Sequence, residues 1–280
     1  MRQFDEITQK EIIKMYQNEG FTISFLSKKY HCRTEAIKNV LILNQIPIKK
    51  SGNCVNRTLK ENFFEDINTE EKAYFLGLFF ADGSVVLDKS GKRSPMISIA
   101  LKLSDIKIIE KFKEVLNLSS ALRYDKREGK ETVGIGFRNE KMANDLSKYG
   151  IIPQKTYLTK KLPKVPESLE RHFLRGLLDG DGSIYQETKS QKYRIDFCSY
   201  HKSICEDFRS RCNKFLNIQN NNVAANYGSA CHIRFNAQEQ VKQLATVLYK
   251  DSNISIARKY QKARILFEDN SENDIVYSDH

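Results

Sequence analysis

Phe75-Leu76-Gly77-Leu78-Phe79-Phe80-Ala81-Asp82-Gly83 and Leu174-Arg175-Gly176-Leu177-Leu178-Asp179-Gly180-Asp181-Gly182 are the two stretches on which the reading of this chain turns. Each is an apolar run closed by a carboxylate and a glycine. Small residues recur four apart, at Ala73, Gly77 and Ala81 and again at Gly176 and Gly180, which puts them on one face of a helix. Lacking bulk there, two backbones can approach closely. The pattern predicts two helices packed side by side, each ending in a left-handed glycine cap at Gly83 or Gly182. Asp82 and Asp181 then meet at the two C-terminal ends.

A helix C-terminus already carries roughly half a negative charge, and a neighbouring carboxylate adds repulsion. A hard divalent cation reverses the sign of that argument. Asp82 and Asp181, with the carbonyls of Ala81 and Gly180, are therefore candidate ligands for Mg²⁺ or Mn²⁺, with water and phosphate completing the shell.

These stretches match the two signature motifs of the LAGLIDADG homing endonucleases, and the chain resembles a two-motif, single-chain member of that family. Phe80 stands where many members carry an acid. The two aspartates lie 99 positions apart inside an internal repeat, which makes the pair far more specific than one copy. The resemblance implies a site-specific, metal-dependent endonuclease that acts as a monomer on double-stranded DNA. Asp82 and Asp181 would be catalytic and metal-binding. Lys155 and Lys259 take the role of the basic residues near the active centre, and Asp179 that of positioning a lysine or a water. Two other classes stay open: a catalytically silent DNA-binding regulator, against which both retained acids argue, and a maturase that binds intron RNA.

Composition agrees with a polyanionic partner: 46 Lys and Arg against 35 Asp and Glu give a net charge of +11. No apolar run reaches the ~20 residues that span a bilayer, and the N-terminus is no signal peptide. The expected location is the cytoplasm, with a bacterial or phage origin or an organellar one. Cys-x-x-Cys is absent from the six cysteines, as suits reduced thiols.

Residues 1–50 read as three short helices. Thr22 and Thr34 are expected to cap the second and third, with Ile7, Ile12, Met15 and Tyr16 inward on the first. The segment resembles a helix-turn-helix module of recombinase type, and Arg33, Lys38 and Asn39 are its candidate DNA-reading residues. Residues 51–66 read as a linker, 67–165 and 166–268 as the two repeats, and 269–280 as an acidic tail.

Behind each motif the same elements return. Ile97–Leu103 alternates as a half-buried strand, and Tyr193–Phe197 answers it. Phe112 and Phe208 correspond at an offset of 96, and the strands from Val133 and Cys231 at 98. The expected fold is α+β, a duplicated αββαββα preceded by an all-α module. The outward strand phase offers Ser98, Lys102, Arg138, Arg194, His232, Arg234 and Asn236, and the loop position Arg123 extends that surface. Two twisted sheets lined this way make a saddle for a duplex, with Arg and Asn on base edges and Lys on phosphates.

Overall fold

The computed structural model describes residues 4–17, 21, 23–48, 58–127, 130–217, 225–227 and 230–268. Three helices come first, α1 (Glu6–Gln17), α2 (Ile23–Lys29) and α3 (Thr34–Leu43). The next block is α4 (Glu70–Asp82), β1 (Gly83–Val86), β2 (Met96–Lys102), α5 (Ile106–Val115), β3 (Arg123–Arg127), β4 (Lys130–Arg138), α6 (Glu140–Lys148) and α7 (Lys155–Leu158). The last is α8 (Glu170–Asp181), β5 (Gly182–Gln186), β6 (Tyr193–Ser199), α9 (Lys202–Leu216), β7 (Ala225–Tyr227), β8 (Ala230–Phe235), α10 (Gln238–Tyr249) and α11 (Ala257–Glu268). The two blocks have one order of elements, which is consistent with duplication. Each extends the expected αββαββα by a further helix, α7 or α11, and these helices carry Lys155 and Lys259. Among the described residues no helix is long and apolar enough to cross a membrane.

The chain divides into two compact units, Met1–Lys60 with Ser98–Phe137, and Glu61–Ile97 with Arg138–His280. In the first, α1, α2 and α3 close around Ile12, Leu26, Ile37 and Leu41, all fully buried. Ile7 departs from its expected inward place: α1 buries Ile12, Met15 and Tyr16, while Ile7, one turn nearer its start, is 81% exposed. Nor does Thr34 cap α3. Arg33 takes the extended N-cap position, and Thr34 is already helical, its hydroxyl donating to Glu35 at 3.1 Å. The expected cap at Thr22 lies outside the described residues, as do residues 51–57 of the linker and the acidic tail.

The same unit carries a sheet segment in which β4 lies between β2 and β3, with Arg123 opposite Gly134 and Asp125 opposite Thr132. Ile99 and Leu101 of β2 and Val133, Ile135 and Phe137 of β4 point inward, as alternation demands. Phe21 and Phe25 meet Tyr124 of β3 in tilted ring contacts, with centroids 4.0 and 5.4 Å away, so the helices dock on this sheet segment.

In the second unit α4 and α8 pack backbone to backbone. A Cβ on Gly77 would overlap the carbonyl of Phe173 and stand 2.9 Å from Leu177 N; one on Gly176 would overlap the carbonyl of Tyr74 and stand 2.9 Å from Leu78 N. The contact is reciprocal, residue for residue, at the same offset as the two aspartates. β5, β6, β8 and β7 form an antiparallel sheet in that order, with Ile195 opposite Ile184 and Phe235. Phe197 of β6 stacks on Phe208 of α9 at 4.1 Å.

Two further expectations change. Gly83 and Gly182 are not left-handed; both are extended, with φ of −73° and −110°, because each helix runs directly into a strand. Glycine is needed there for room instead, since a Cβ would lie 2.7 Å from the carbonyl of Phe79 or of Leu178. The stretch read as a linker also contributes to the core: Phe63 and Phe64 are buried and face the rings of Phe75 and Phe79.

Candidate active site and nucleic-acid interface

α4 starts at Thr69, whose hydroxyl accepts Lys72 N–H at 3.3 Å, and Glu70 and Glu71 occupy its first turn, where the helix dipole favours anions. From there the buried run Ala73–Phe80 carries the chain to Asp82. Because Ala81 packs against Gly180, the carboxylate of Asp82 reaches over α8, its Oδ2 3.1 Å from where a Cβ on Gly180 would stand. Asp181 is the next residue. Neighbouring protein strips water from its carboxyl, and the like charge of Asp82 adds to this, pushing its pKa up to about 6 against the pull of Lys155 and Lys259.

Both lysines sit at these helix ends. Lys155 Nζ donates to the carbonyl of Ala81 at 2.6 Å. Burial lowers its pKa, while Asp181 and Asp82 act to raise it. Lys259 is only 3% exposed and donates to the carbonyls of Leu178, Asp179 and Gly182 at 2.6, 2.6 and 2.7 Å, which uses all three protons of an ammonium. Cations at the negative ends of helices are of the favourable sign. Asp181 and Lys155 line one cavity of about 210 Å³, walled also by Phe80, Cys198, Tyr200 and His201. The Cys198 thiol donates to the carbonyl of Asp181 at 3.2 Å.

Asp179 and Arg175 extend the site inward. Asp179 is 1% exposed and accepts the hydroxyls of Tyr74 and Tyr249, each at 2.8 Å, and Ile256 N–H at 2.7 Å. Burial raises its pKa, opposed by Lys259 and those three donors. Arg175 is fully buried and donates to the carbonyls of Ile254 and Leu248, both at 2.8 Å, and to Glu70 at 2.7 Å, with His172 Nδ1 at 3.0 Å. Nothing in the sequence singles Arg175 out, because its partners are backbone carbonyls and an acid more than seventy residues away.

The donors present suit a hard divalent cation. Two carboxylates from different helices converge, and their repulsion is what a dication relieves. Among the described residues no group of three or more His, Cys, Asp and Glu could hold a metal ion, so a cation at these helix ends would depend on the two aspartates and on backbone oxygens. Of the carbonyls expected as ligands, that of Ala81 already accepts Lys155.

The candidate DNA-reading residues fall in both units. In the first, Arg33 at the N-cap of α3 and Lys38 within it are exposed, Lys38 lies 3.8 Å from Glu35, and Asn39 is half-buried. Ser98 is half-buried on β2, and Lys102 and Arg123 are exposed strand termini. In the second unit Arg138 donates to the carbonyl of Ser94 at 2.6 Å. Arg194 is held by the carbonyl of Asn236 and by Glu187, both at 3.0 Å, and Asn236 itself is exposed. His232 and Arg234 converge on Asp196, which shares their face of the sheet, is buried beneath them and is not among the residues that the sequence offers as candidates.

Residues 168–261, from just before α8 to the first turn of α11, match the family model described as a LAGLIDADG-like domain. A search of curated protein sequences gave no match. Among solved structures the chain is similar to the I-SmaMI LAGLIDADG homing endonuclease bound to cleaved DNA, at 11% identity and a TM-score of 0.49, covering 72% of this chain and 88% of that one. It is also similar to the I-LtrWI LAGLIDADG homing endonuclease bound to target DNA, at 16% identity and a TM-score of 0.47, covering 70% and 88%. A third is the LAGLIDADG meganuclease I-CpaMI bound to uncleaved DNA, at 9% identity and a TM-score of 0.48, covering 71% and 90%.

Proposed function

We propose that the chain is a two-motif DNA endonuclease of the LAGLIDADG type, acting as a monomer on double-stranded DNA. The observation that carries this reading is the convergence of Asp82 and Asp181 at the joined ends of α4 and α8. Asp82 and Asp181 would hold Mg²⁺ or Mn²⁺, with Gly180 and Ala81 offering carbonyl oxygens. When bound, the cation lowers the pKa of an attacking water and neutralises phosphate charge.

The reaction is hydrolysis: a water oxygen bonds to phosphorus, the P–O3′ bond breaks, and the products are a 5′-phosphate and a 3′-hydroxyl. Lys155, in the wall of the cavity it shares with Asp181, stabilises negative charge developing on the phosphate. Lys259 holds the end of α8 through three carbonyls, and so fixes Asp181 from behind. We read residues 1–50 as a DNA-binding module, with Arg33, Lys38 and Asn39 towards the duplex. Ser98, Lys102, Arg123, Arg138, Arg194, His232, Arg234 and Asn236 form the sheet contacts.

The test is cleavage of a plasmid bearing a sequence selected by this protein. Wild type should linearise it with Mg²⁺ and not with EDTA, while Asp82→Asn and Asp181→Asn bind without cutting. Binding without cleavage by wild type would instead mark a silent regulator, and selective binding of structured intron RNA a maturase.

A further inference from the structure

The inference rests on the DNA reading above and concerns how the two halves of the target are told apart. The two sheets correspond position by position at an offset of 98, so that Asp196, Cys198, His232 and Arg234 answer Ser98, Ala100, Gly134 and Gly136. In the first sheet these central positions offer one hydroxyl and no charge. Glycine is needed at 134, where a Cβ would stand 2.7 Å from the carbonyl of Ile99 and 2.9 Å from Ala100 Cβ. The charged candidates there stand at strand ends: Lys102 closes β2, Arg123 opens β3 and Arg138 closes β4.

The centre of the second sheet is different. Asp196 is 7% exposed and accepts both Nε and Nη2 of Arg234, at 3.0 and 2.7 Å, on one oxygen; its other oxygen faces His232 Nδ1 at 3.3 Å. A carboxylate is the wrong charge for a surface that meets phosphates. Towards base edges it is useful, because it accepts from a cytosine amino group and holds a guanidinium in the plane that pairs with guanine. Holding these side chains in one rotamer before DNA arrives removes an ordering cost at binding.

We propose that base discrimination is concentrated in the half of the target read by the second sheet, with Asp196 as the positioning residue that orients Arg234 and His232. The first sheet holds its half by phosphate contacts and shape, which carry little sequence information.

The test uses full-length Asp181→Asn protein, which binds without cutting, to select a duplex and then to scan every base pair of it. Substitutions should weaken binding roughly ten- to a hundredfold at several positions in one half and less than about threefold across the other. In that background, Arg234→Ala and the isosteric Asp196→Asn should bring the discrimination in the costly half down to less than about fivefold. Lys102→Ala should weaken all sequences alike. The readout is a ratio between sequences, so a general loss of folded protein cancels. Costs spread evenly over both halves would overturn the inference, as would ratios unmoved by Arg234→Ala and Asp196→Asn, or ratios moved instead by Arg33→Ala. If no sequence is preferred at all, the DNA reading itself fails.

Discussion

α4 and α8 are the same helix built twice with opposite interiors. Their backbones meet through matched glycines, Gly77 and Gly176, and each ends at an aspartate that leads straight into a strand. Yet the buried face of α4 from Ala73 to Phe80 holds only one polar group, the hydroxyl of Tyr74, whereas α8 buries His172, Arg175 and Asp179. Leu76 stands where Arg175 does, and Phe80 where Asp179 does. The difference teaches that backbone contact sets the frame, and that side chains behind it can then be oily or ionic. The ionic version gives something in return. Asp179 and Arg175 bind the segment from Leu248 to Ile256, from which α11 brings Lys259 to the end of α8.

The most damaging way to break the comparison is at the shared contact. Gly77→Val and Gly176→Val should each abolish soluble folded protein, and equally so, because each inserts a side chain into a carbonyl of the opposite helix. Expression and size-exclusion chromatography of both variants check this; one tolerated and one lethal change would break the reciprocity. Next come the paired positions themselves. Arg175→Met removes the cation beside Glu70, leaves two buried carbonyls without their donor and should cost about 3–5 kcal/mol by chemical denaturation. Leu76→Met, a volume-conserving swap in the oily copy, should cost less than about 1.5 kcal/mol.

Acid should sharpen the contrast further. Burial, with Arg175 nearby, lowers His172 to about 4 from 6.5, so the unfolded chain binds its proton first. Stability from this group is complete above pH 6.5 and falls as pH drops towards 4, by at most about 3 kcal/mol. Asn253 and Arg175 hold Glu70 below its usual range in spite of burial, which adds a loss in the same direction as that acid protonates. The raised carboxyls of Asp181 and Asp179 act in the opposite direction over the same range, so the check is a difference: from pH 7 to 4 the denaturation midpoint of the wild type should fall relative to that of His172→Gln. The smallest effect is at the start of α4: Thr69→Ala removes its capping hydroxyl and should cost about 1 kcal/mol, read as a small drop in Tm.

Much of the frame was legible from residue spacing. Small residues four apart gave the helix pair, strict alternation gave β2, and offsets of 96 and 98 linked the later elements, because these depend on local periodicity. What the spacing hid was anything settled by distant partners. Arg175 reads as an ordinary charged residue interrupting an apolar run; only Glu70, 105 positions away, and two carbonyls make it an interior group. Gly83 and Gly182 read as caps because a glycine after a helix usually is one, but here the chain continues extended into β1 and β5. Asp196 lies inside a strand whose spacing gives no sign that Arg234 and His232, more than thirty positions later, share its carboxylate.

Lys259 comes 80 positions after Asp179, whose carbonyl it satisfies. A ribosome making this chain therefore delivers the second aspartate long before the ammonium group that steadies it. Until α11 emerges, the carbonyls of Leu178, Asp179 and Gly182 lack the ammonium group that they meet in the folded chain. Packing around the end of α8 is therefore completed only after α11 has been made, whatever the order in which the earlier elements form.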